Sequence, residues 1–162
     1  MTQYVLVHAT KVDCDGPYDD VLLILKDKPA YLKGKLNLCG GKIEEGESVI
    51  DAAVRELEEE SGFKPCSKPL YCGKIVCSDC EVHCVSVEVD EFESRWYKPR
   101  EEETETVMWY TRKAAFDDPR LMPNLRVIIP LLYLKVCGWT IFDVDTATST
   151  AHTFSIKFDL PS

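Results

Sequence analysis

Long apolar runs are missing from the sequence. No apolar stretch reaches the roughly 18 residues that a membrane-spanning helix needs, so no membrane contact is expected. Residues 1–4 lack a basic region followed by an apolar one, which predicts the absence of a signal peptide. Internal repeats and low-complexity linkers are also missing, so residues 1–162 are expected to form a single domain. These absences together predict a soluble, cytoplasmic protein.

Basic residues are too few to balance the acidic ones, and the formal net charge is -9. The surplus is concentrated between Lys42 and Glu60, where acidic residues far outnumber basic ones. A stretch of this charge repels phosphates and nucleic acid unless cations intervene. The composition therefore argues against long nucleic acid as a partner. The alternative interpretation of such a run is a solvated acidic helix face.

Histidine is scarce, with three residues, whereas there are eight cysteines. No Ser-His-Asp or Cys-His arrangement typical of a nucleophilic enzyme is evident. The segment Cys77-x2-Cys80-x2-His83-Cys84 has residue types that bind zinc. However, His83 and Cys84 are adjacent on a predicted strand and point to opposite faces, so the ligands would not converge. We therefore expect reduced thiols, with a structural zinc site as the alternative.

The remaining pattern predicts a mixed α/β layered domain, with strands on both sides of two helices. Gly16 and Pro17 predict a turn over 13–20, a loop is expected over 26–35, and Gly40-Gly41 breaks the chain before the first helix. Helices are predicted over 48–61 and over 125–136, the second containing Pro130. Strands are predicted over 4–12, 21–25, 70–76, 81–89 and 106–110, and a terminal hairpin over 139–144 and 153–158.

The segment 48–61 is the best helix candidate. Ser48, with Asp51 three residues later, forms a start similar to a capping box. Gly62 suits the left-handed position that ends a helix, and Phe63 can pack just beyond it. One mostly apolar face follows helical spacing and consists of Ile50, Val54, Leu57 and Ser61.

Three glutamates share the other side of this helix. Glu56, Glu59 and Glu60 are spaced three and four residues apart and therefore project together. Clustered carboxylates repel one another at neutral pH unless a divalent cation neutralises them. Magnesium prefers oxygen ligands, keeps several waters and bridges to substrate phosphates. The sequence therefore predicts a magnesium site, which manganese can also occupy.

The segment 41–63 contains a spaced set of glycines, glutamates and an arginine. Its members are Gly41, Glu47, Arg55, Glu56, Leu57, Glu59, Glu60, Gly62 and Phe63. In residue type and spacing this set resembles the complete Nudix box. The resemblance implies a Nudix-type α/β/α sandwich with a mixed β-sheet and a C-terminal β-hairpin. It also implies hydrolysis of a nucleoside diphosphate-linked substrate between two phosphates.

The same resemblance implies roles for individual residues. Glu59 and Glu60 would be metal ligands, together with the carbonyl of Gly40, and Glu56 would be a ligand or the general base. Arg55 would orient a glutamate. Glu47 would bind metal or brace the loop. One glutamate of the 101–105 run would be a further metal ligand, and Glu103 is our candidate. The alternative for that run is a solvated acidic loop.

Outside the box the chain is similar to the MutT-type and mammalian oxidised-purine nucleoside triphosphatase branch. Asn37 and Asn124 stand in segments where those enzymes carry an asparagine that contacts the base. An amide offers both a donor and an acceptor to a purine edge. The alternative is that Asn37 caps a turn and Asn124 caps the following helix.

The chain also departs from this branch. The mammalian-type enzyme has two acidic residues at Asn124-Leu125 and a tryptophan near Met122, and many relatives have proline or an aromatic residue at Cys39. These departures leave another base, or an undamaged nucleotide, as the alternative substrate. The proline or tyrosine that marks the ADP-ribose and dinucleoside-polyphosphate branches is absent at 78–81, which disfavours those branches.

Lysines around the box are candidates for binding the phosphate tail as point charges. Lys42 is our first choice. The remaining candidates are Lys26, Lys28, Lys33 and Lys35, for which a solvated basic loop is the alternative.

We therefore expect a nucleoside triphosphate pyrophosphohydrolase that acts on a small nucleotide and is a monomer or homodimer. The alternatives are cleavage of a dinucleotide, ADP-ribose or a nucleotide cap, and a non-catalytic nucleotide-binding module.

Overall fold

A computed structural model describes residues 1–13, 16–90, 92, 105–143 and 154–159 of the protein. Within these ranges nine strands form one sheet. The strands are β1 (Thr2–Asp13), β2 (Gly16–Leu25), β3 (Leu36–Asn37), β4 (Cys39–Lys42), β5 (Leu70–Val76), β6 (Cys80–Asp90), β7 (Thr106–Thr111), β8 (Trp139–Asp143) and β9 (Phe154–Phe158). The helices are α1 (Val49–Ser61), α2 (Arg112–Asp117) and α3 (Leu125–Tyr133), and Ala30–Leu32 forms a 3-10 turn.

The sheet is mixed, as predicted. Its main path runs β3-β2-β1-β6-β5-β8-β9. Strand β1 is parallel to β6, and β5 is parallel to β8. The other pairs are antiparallel, including β8 with β9, which confirms the predicted terminal hairpin. Strand β1 pairs with β4 near its start and with β2 near its end, so one edge of β1 serves two partners.

The two longer helices cover opposite faces of the sheet. On β2, Val21 and Leu23 pack into the core beneath α3, whereas Leu22 packs into the core beneath α1. Successive residues of a strand point to opposite faces, so the alternation separates the two cores. The predicted α/β/α sandwich is therefore confirmed. Helix α1 contributes Ala52, Ala53 and Leu57 to its core, and α3 contributes Leu125, Ile128, Ile129 and Leu132.

Helix α1 begins and ends as its sequence predicts. The Asp51 amide donates to the Ser48 hydroxyl over 3.1 Å, which satisfies one of the free N–H groups of the first turn. Gly62 has φ 76° and its amide donates to the Glu58 carbonyl. Glycine is favoured at this position, because a residue without a Cβ adopts the left-handed backbone conformation without steric cost. The caps thus fix where the helix that carries the glutamates starts and stops.

The structure differs from the sequence prediction at four places. Strand β2 begins at Gly16, so residues 16–20 are part of a hairpin with β1 instead of a turn. Gly40-Gly41 lies in β4, because the β1 backbone pairs with it. Helix α3 ends at Tyr133, since Lys135 has φ 53° and the Val136 amide turns back to the Leu131 carbonyl. Helix α2, capped by Thr111, was not predicted.

Candidate active site

Arg55 is the centre of a network that joins α1 to the loop before it. Its Nε donates to Glu47 Oε1 over 2.8 Å, and its Nη1 donates to Glu56 Oε1 over 2.7 Å and to Glu59 Oε2 over 3.3 Å. Its Nη2 donates to the Lys42 carbonyl and to Glu47 Oε2, each over 3.0 Å. A planar guanidinium is suited to binding several carboxylates in fixed directions. Glu47 therefore braces the loop in this structure, and Arg55 orients the glutamates.

Glu60 is, with Glu56, one of the two buried members of the three helix glutamates. Its side chain is 12% exposed, and its Oε2 accepts a hydrogen bond from the Gly40 amide over 2.8 Å. Burial raises the pKa of Glu60 to about 7 and also raises the pKa of Glu56. Repulsion from Glu56 further raises the pKa of Glu60, and repulsion from Glu59 and Glu47 further raises the pKa of Glu56. The pair therefore holds negative charge in a place where a bound cation would stabilise it.

Gly40 and Gly41 allow the sheet and helix to approach closely. A Cβ at Gly40 would overlap the Val5 carbonyl, and a Cβ at Gly41 would overlap the Glu56 carboxylate. Both glycines therefore allow close approach, Gly40 to strand β1 and Gly41 to the Glu56 side chain. The result is that the backbone of β4 lies directly beside the carboxylates of α1.

Lys26 completes the polar cluster and was only one of five lysines proposed from the sequence. Its Nζ lies 2.8 Å from Glu105 Oε2 and 3.7 Å from Glu60 Oε1, and its side chain is 14% exposed. Glu105 also accepts hydrogen bonds from the amides of Asp27 and Lys28. Glu105 thus serves as the counterion of Lys26 and anchors the start of the 26–35 loop. Its pKa is lowered by Lys26 and by these amides, against the effect of burial.

A cleft of about 490 Å³ opens beside this cluster. Asn37, Asn124 and Lys26 all line it, and so do Gly40 and Gly41. The two asparagines predicted to contact a base are therefore brought together with the glycine pair that adjoins the glutamates. The other wall residues include Tyr4, Tyr31, Leu38, Ile75, Cys77, Asp79, Cys80 and Val82.

Lys42 does not line this cleft. Its side chain is exposed and lies along a neighbouring groove, together with Glu44 and Glu47. Its main contribution to the cluster is its carbonyl, which accepts from Arg55. The cationic side chain that the structure does bring to the cleft is that of Lys26.

The two asparagines differ in how their side chains are used. Asn37 Oδ1 accepts the Leu38 amide over 2.9 Å, a local contact of the kind expected for a turn. Asn124 precedes α3, but its side chain makes no capping hydrogen bond, so the helix-cap alternative is wrong. Its Oδ1 is buried and has no hydrogen-bond partner within the described ranges. A buried polar atom without a partner is costly, and a ligand in the cleft could satisfy it.

The carboxylates of Glu56 and Glu60 offer oxygen ligands, which suit a hard divalent cation. Among the residues that the structure describes, no three His, Cys, Asp or Glu side chains converge as a metal cage. Arg55, Lys26 and the Gly40 amide instead hold the carboxylates. Magnesium is commonly held by one or two carboxylates plus waters and substrate phosphates. Metal binding by Gly40, Glu56, Glu59 and Glu60 stays a prediction, and Glu103 lies outside the described residues.

In the described part of the chain, no helix is both long and apolar enough to cross a membrane.

Three relatives share short, similar segments with this chain. The ADP-sugar pyrophosphatase of Mus musculus is 36% identical over 78 residues, which are 45% of this chain and 35% of that protein. The ADP-ribose pyrophosphatase of Methanocaldococcus jannaschii is 44% identical over 62 residues, 38% of this chain and 37% of the relative. The 8-oxo-dGTP diphosphatase of Escherichia coli is 40% identical over 47 residues, which are 29% of this chain and 36% of that protein. The chain thus spans little more than a third of each relative's length.

Solved structures share the fold at lower identity. The mutator MutT protein from Bacillus halodurans superposes with a TM-score of 0.63 and 16% identity, covering 95% of this chain and 97% of that one. A NUDIX-family hydrolase from Clostridium perfringens superposes with a TM-score of 0.62 and 19% identity, covering 82% of this chain and 97% of that one. The family model of the NUDIX domain matches residues 7–132, which include the cleft glycines and all of α1. The protein therefore belongs to the Nudix family.

Proposed function

We propose that this protein is a Nudix hydrolase that cleaves a nucleoside triphosphate to the nucleoside monophosphate and pyrophosphate. Oxidised purine nucleotides such as 8-oxo-dGTP are the first candidates. The observation that carries the proposal is the unpartnered Oδ1 of Asn124 in the same cleft as Gly40 and Gly41. In this proposal the part of the cleft at Asn124 offers an amide to a base and is called the base end, and the part at Gly40 and Gly41 adjoins the carboxylate cluster and is called the phosphate end.

The phosphate end of the cleft supplies both charges that phosphate hydrolysis needs. Magnesium or manganese bound by the glutamates would screen the phosphate oxygens and make a bound water more acidic. Lys26 faces the cleft and adds a positive charge next to Glu60. Once a cation neutralises Glu60, Lys26 can pair with a phosphate instead.

Proton transfer at this end falls to Glu56. Its pKa is raised because it is buried, which makes it a better base than an exposed glutamate. Arg55 fixes the carboxylate by a 2.7 Å hydrogen bond, and Gly41 leaves room beside it. We assign Glu56 as the general base and Arg55 as its positioning residue, with Glu59 and Glu60 as the ligands of the cation.

The base end of the cleft combines apolar side chains with a few polar ones, including the two asparagines and Asp79. Leu38, Ile75 and Val82 contribute to the wall, and Tyr31 stands at the rim. A wall that combines apolar side chains with a few directed polar groups is typical of a small-molecule site. The Asn124 amide can both donate to and accept from a purine edge there.

A second candidate substrate is an ADP-sugar or ADP-ribose. Two of the relatives with similar segments carry the names ADP-sugar pyrophosphatase and ADP-ribose pyrophosphatase. The same phosphate end would serve such a substrate, and the asparagines would then contact adenine. The two candidates differ in their products, because an ADP-linked compound yields AMP and a sugar phosphate.

A turnover screen tests the proposal. Purified protein with magnesium, and separately with manganese, is incubated with the common nucleoside triphosphates, 8-oxo-dGTP, ADP-ribose and an ADP-sugar. Pyrophosphate and a nucleoside monophosphate are the expected products, and a Glu56→Gln variant is the blank. Cleavage of ADP-linked compounds alone would replace the first candidate by the second. No turnover of any compound would overturn the enzyme assignment in favour of a binding module.

A further inference from the structure

A pair of cysteines lies at the tip of the β5–β6 hairpin. The register pairs Val76 with Glu81, so Cys77 and Cys80 are the next opposed residues, joined by Ser78-Asp79. The Cys77 amide donates to the Cys80 carbonyl over 2.9 Å, which confirms that the two backbones face each other. Opposed residues of an antiparallel pair point to the same face, and in a hydrogen-bonded pair their Cα atoms lie about 5.5 Å apart. That separation lies within the range of a disulfide.

Both cysteines belong to the wall of the nucleotide cleft. Cys77, Cys80 and Asp79 line it together, next to Ile75 and Val82. Both cysteines are partly buried, so each is sheltered but reachable from the cleft. The proposed hydrolysis uses neither of them. The wall at this point therefore carries two thiols whose chemistry is not yet explained.

The other described cysteines are less suited to oxidation within the protein. Burial raises the pKa of the Cys84 and Cys39 thiols well above their ordinary value, which keeps them protonated and unreactive. Cys72 lies close to Cys137, but it is fully buried and its pKa is raised to about 12. Among the described cysteines, Cys77 and Cys80 are the opposed pair that lines the cleft.

We propose that Cys77 and Cys80 form a reversible disulfide across the hairpin tip, and that its formation weakens nucleotide binding in the cleft. The oxidant is a low-molecular-weight disulfide such as glutathione disulfide. The two cysteine thiols lose two protons and two electrons and form one S–S bond. The S–S bond of the oxidant breaks, and its sulfurs take up the two electrons and two protons as two thiols.

The effect on binding follows from the position of the pair and rests on the proposed function. A disulfide holds its sulfurs about 2 Å apart, closer than two thiols in contact, so the wall must draw inward at this point. Ile75 and Val82 contact the core beneath α3, whereas Glu56 and its helix cover the opposite face. Oxidation should therefore raise KM at least threefold and change kcat less than twofold.

Peptide mapping tests the disulfide without any activity measurement. Reduced full-length protein is equilibrated with glutathione disulfide and glutathione, blocked with an alkylating agent and digested with trypsin and a glutamate-specific protease. Cleavage after Lys74 and Glu81 releases residues 75–81, in which Cys77 and Cys80 are the cysteines. The expected result is loss of two hydrogens from this peptide, reversed by dithiothreitol. Alkylation of both residues, or glutathione adducts on either, would overturn the proposal.

Two variants complete the design. Cys77→Ser should abolish the internal disulfide, whereas Cys137→Ser, which changes an exposed cysteine, should leave it intact. KM of the wild type is then compared before and after oxidation, and in Cys77→Ser under the same treatment. An unchanged KM in fully oxidised wild type would overturn the effect on binding. Absence of turnover on every nucleotide would overturn the proposed function and that effect, while the mapping still decides the disulfide.

Discussion

The ammonium group of Lys26 lies 2.8 Å from Glu105 Oε2 and 3.7 Å from Glu60 Oε1. Lys26 therefore links the last glutamate of the 101–105 run to the buried glutamate of the Nudix box. The Glu105 side chain is 4% exposed and already accepts two backbone amides. Because Glu105 holds the loop in this structure, we predict that the metal ligand expected from this run is one of the glutamates before it.

Glu105→Gln should destabilise the protein, because it leaves the buried Lys26 with the more distant Glu60 as its anionic partner. Breaking a buried ion pair lowers the free energy of unfolding by about 3 kcal/mol. The side-chain oxygen of glutamine can still accept the two backbone N–H groups, so the variant removes the ion pair alone. Urea unfolding measures the loss. Lys113→Met removes an exposed ion pair with Asp117 and is the control, with no measurable change expected. Equal stability of Glu105→Gln and wild type would show that Lys26 does not need this partner.

Glu59→Gln should lower turnover on the order of a hundredfold or more, as expected when the electrostatic role of a metal ligand is lost. Glu58→Gln is the matched control, because both side chains are 42% exposed and removing either charge changes the net charge equally. Glu58 pairs with Lys64 instead of Arg55, so Glu58→Gln should leave turnover nearly unchanged. Steady-state kinetics with saturating magnesium checks both. Similar losses in the two variants would point to net charge, and full turnover after chelation and dialysis would exclude the metal mechanism.

The parts of the site that could be predicted from the sequence are local ones. Ser48, Gly62 and the glutamate spacing depend on residues within one helix, and helical geometry alone places Glu56, Glu59 and Glu60 on one side. The resemblance to the Nudix box then added the role of Arg55, whose contacts to Glu47 and Glu56 agree with it.

The parts that were missed depend on long-range pairing. The contact between Lys26 and Glu105 joins residues 79 positions apart, and the choice of Lys26 over Lys42 depends on where the loop folds back. Strand β4 contains two glycines, which normally disfavour strands, and it exists because β1 pairs with it. Tertiary contacts override local propensity in these places.

The stability of the metal-free protein should fall as pH rises through neutrality. The pKa of Glu60 is raised from 4.5 to about 7 by burial, so the folded state binds a proton that the unfolded state has released. This stabilisation is fully present below about pH 4.5 and is lost as pH rises through about 7. The pKa difference limits the resulting loss in the free energy of unfolding to about 3 kcal/mol. Urea unfolding with a chelator at pH 5 to 8 measures this trend. Glu60→Gln should flatten it, and an equal slope in both proteins would contradict the assignment to Glu60.

The two residues that precede α2 and α3 should differ in their effect on stability. The Thr111 hydroxyl accepts the Ala114 amide, whereas the Asn124 side chain makes no capping bond. Thr111→Ala should therefore cost about 1 kcal/mol, the usual value for losing a cap. Asn124→Ala should cost little or nothing, since it removes a buried oxygen without a partner. Thermal unfolding of both variants decides this, and an equal loss would restore a capping role for Asn124.

The same Asn124→Ala variant should show its effect in substrate choice. If Asn124 reads a purine, its loss leaves the base edge without a partner, and an unmade hydrogen bond at a buried site costs about 1 to 3 kcal/mol. The specificity constant for the preferred purine triphosphate should therefore drop roughly 5- to 150-fold. A pyrimidine triphosphate lacks that edge and should lose much less.

Glu59→Gln is the counterpart in this experiment, because the cation handles the phosphates that all nucleotides share. It should lower turnover of purine and pyrimidine substrates by the same factor, whereas Asn124→Ala should separate them. Measuring kcat/KM of both variants on both substrates therefore distinguishes the base end of the cleft from the phosphate end. If Asn124→Ala lowers both substrates equally, or neither, the buried Oδ1 serves no base, and the assignment of a purine triphosphate loses the observation on which it depends.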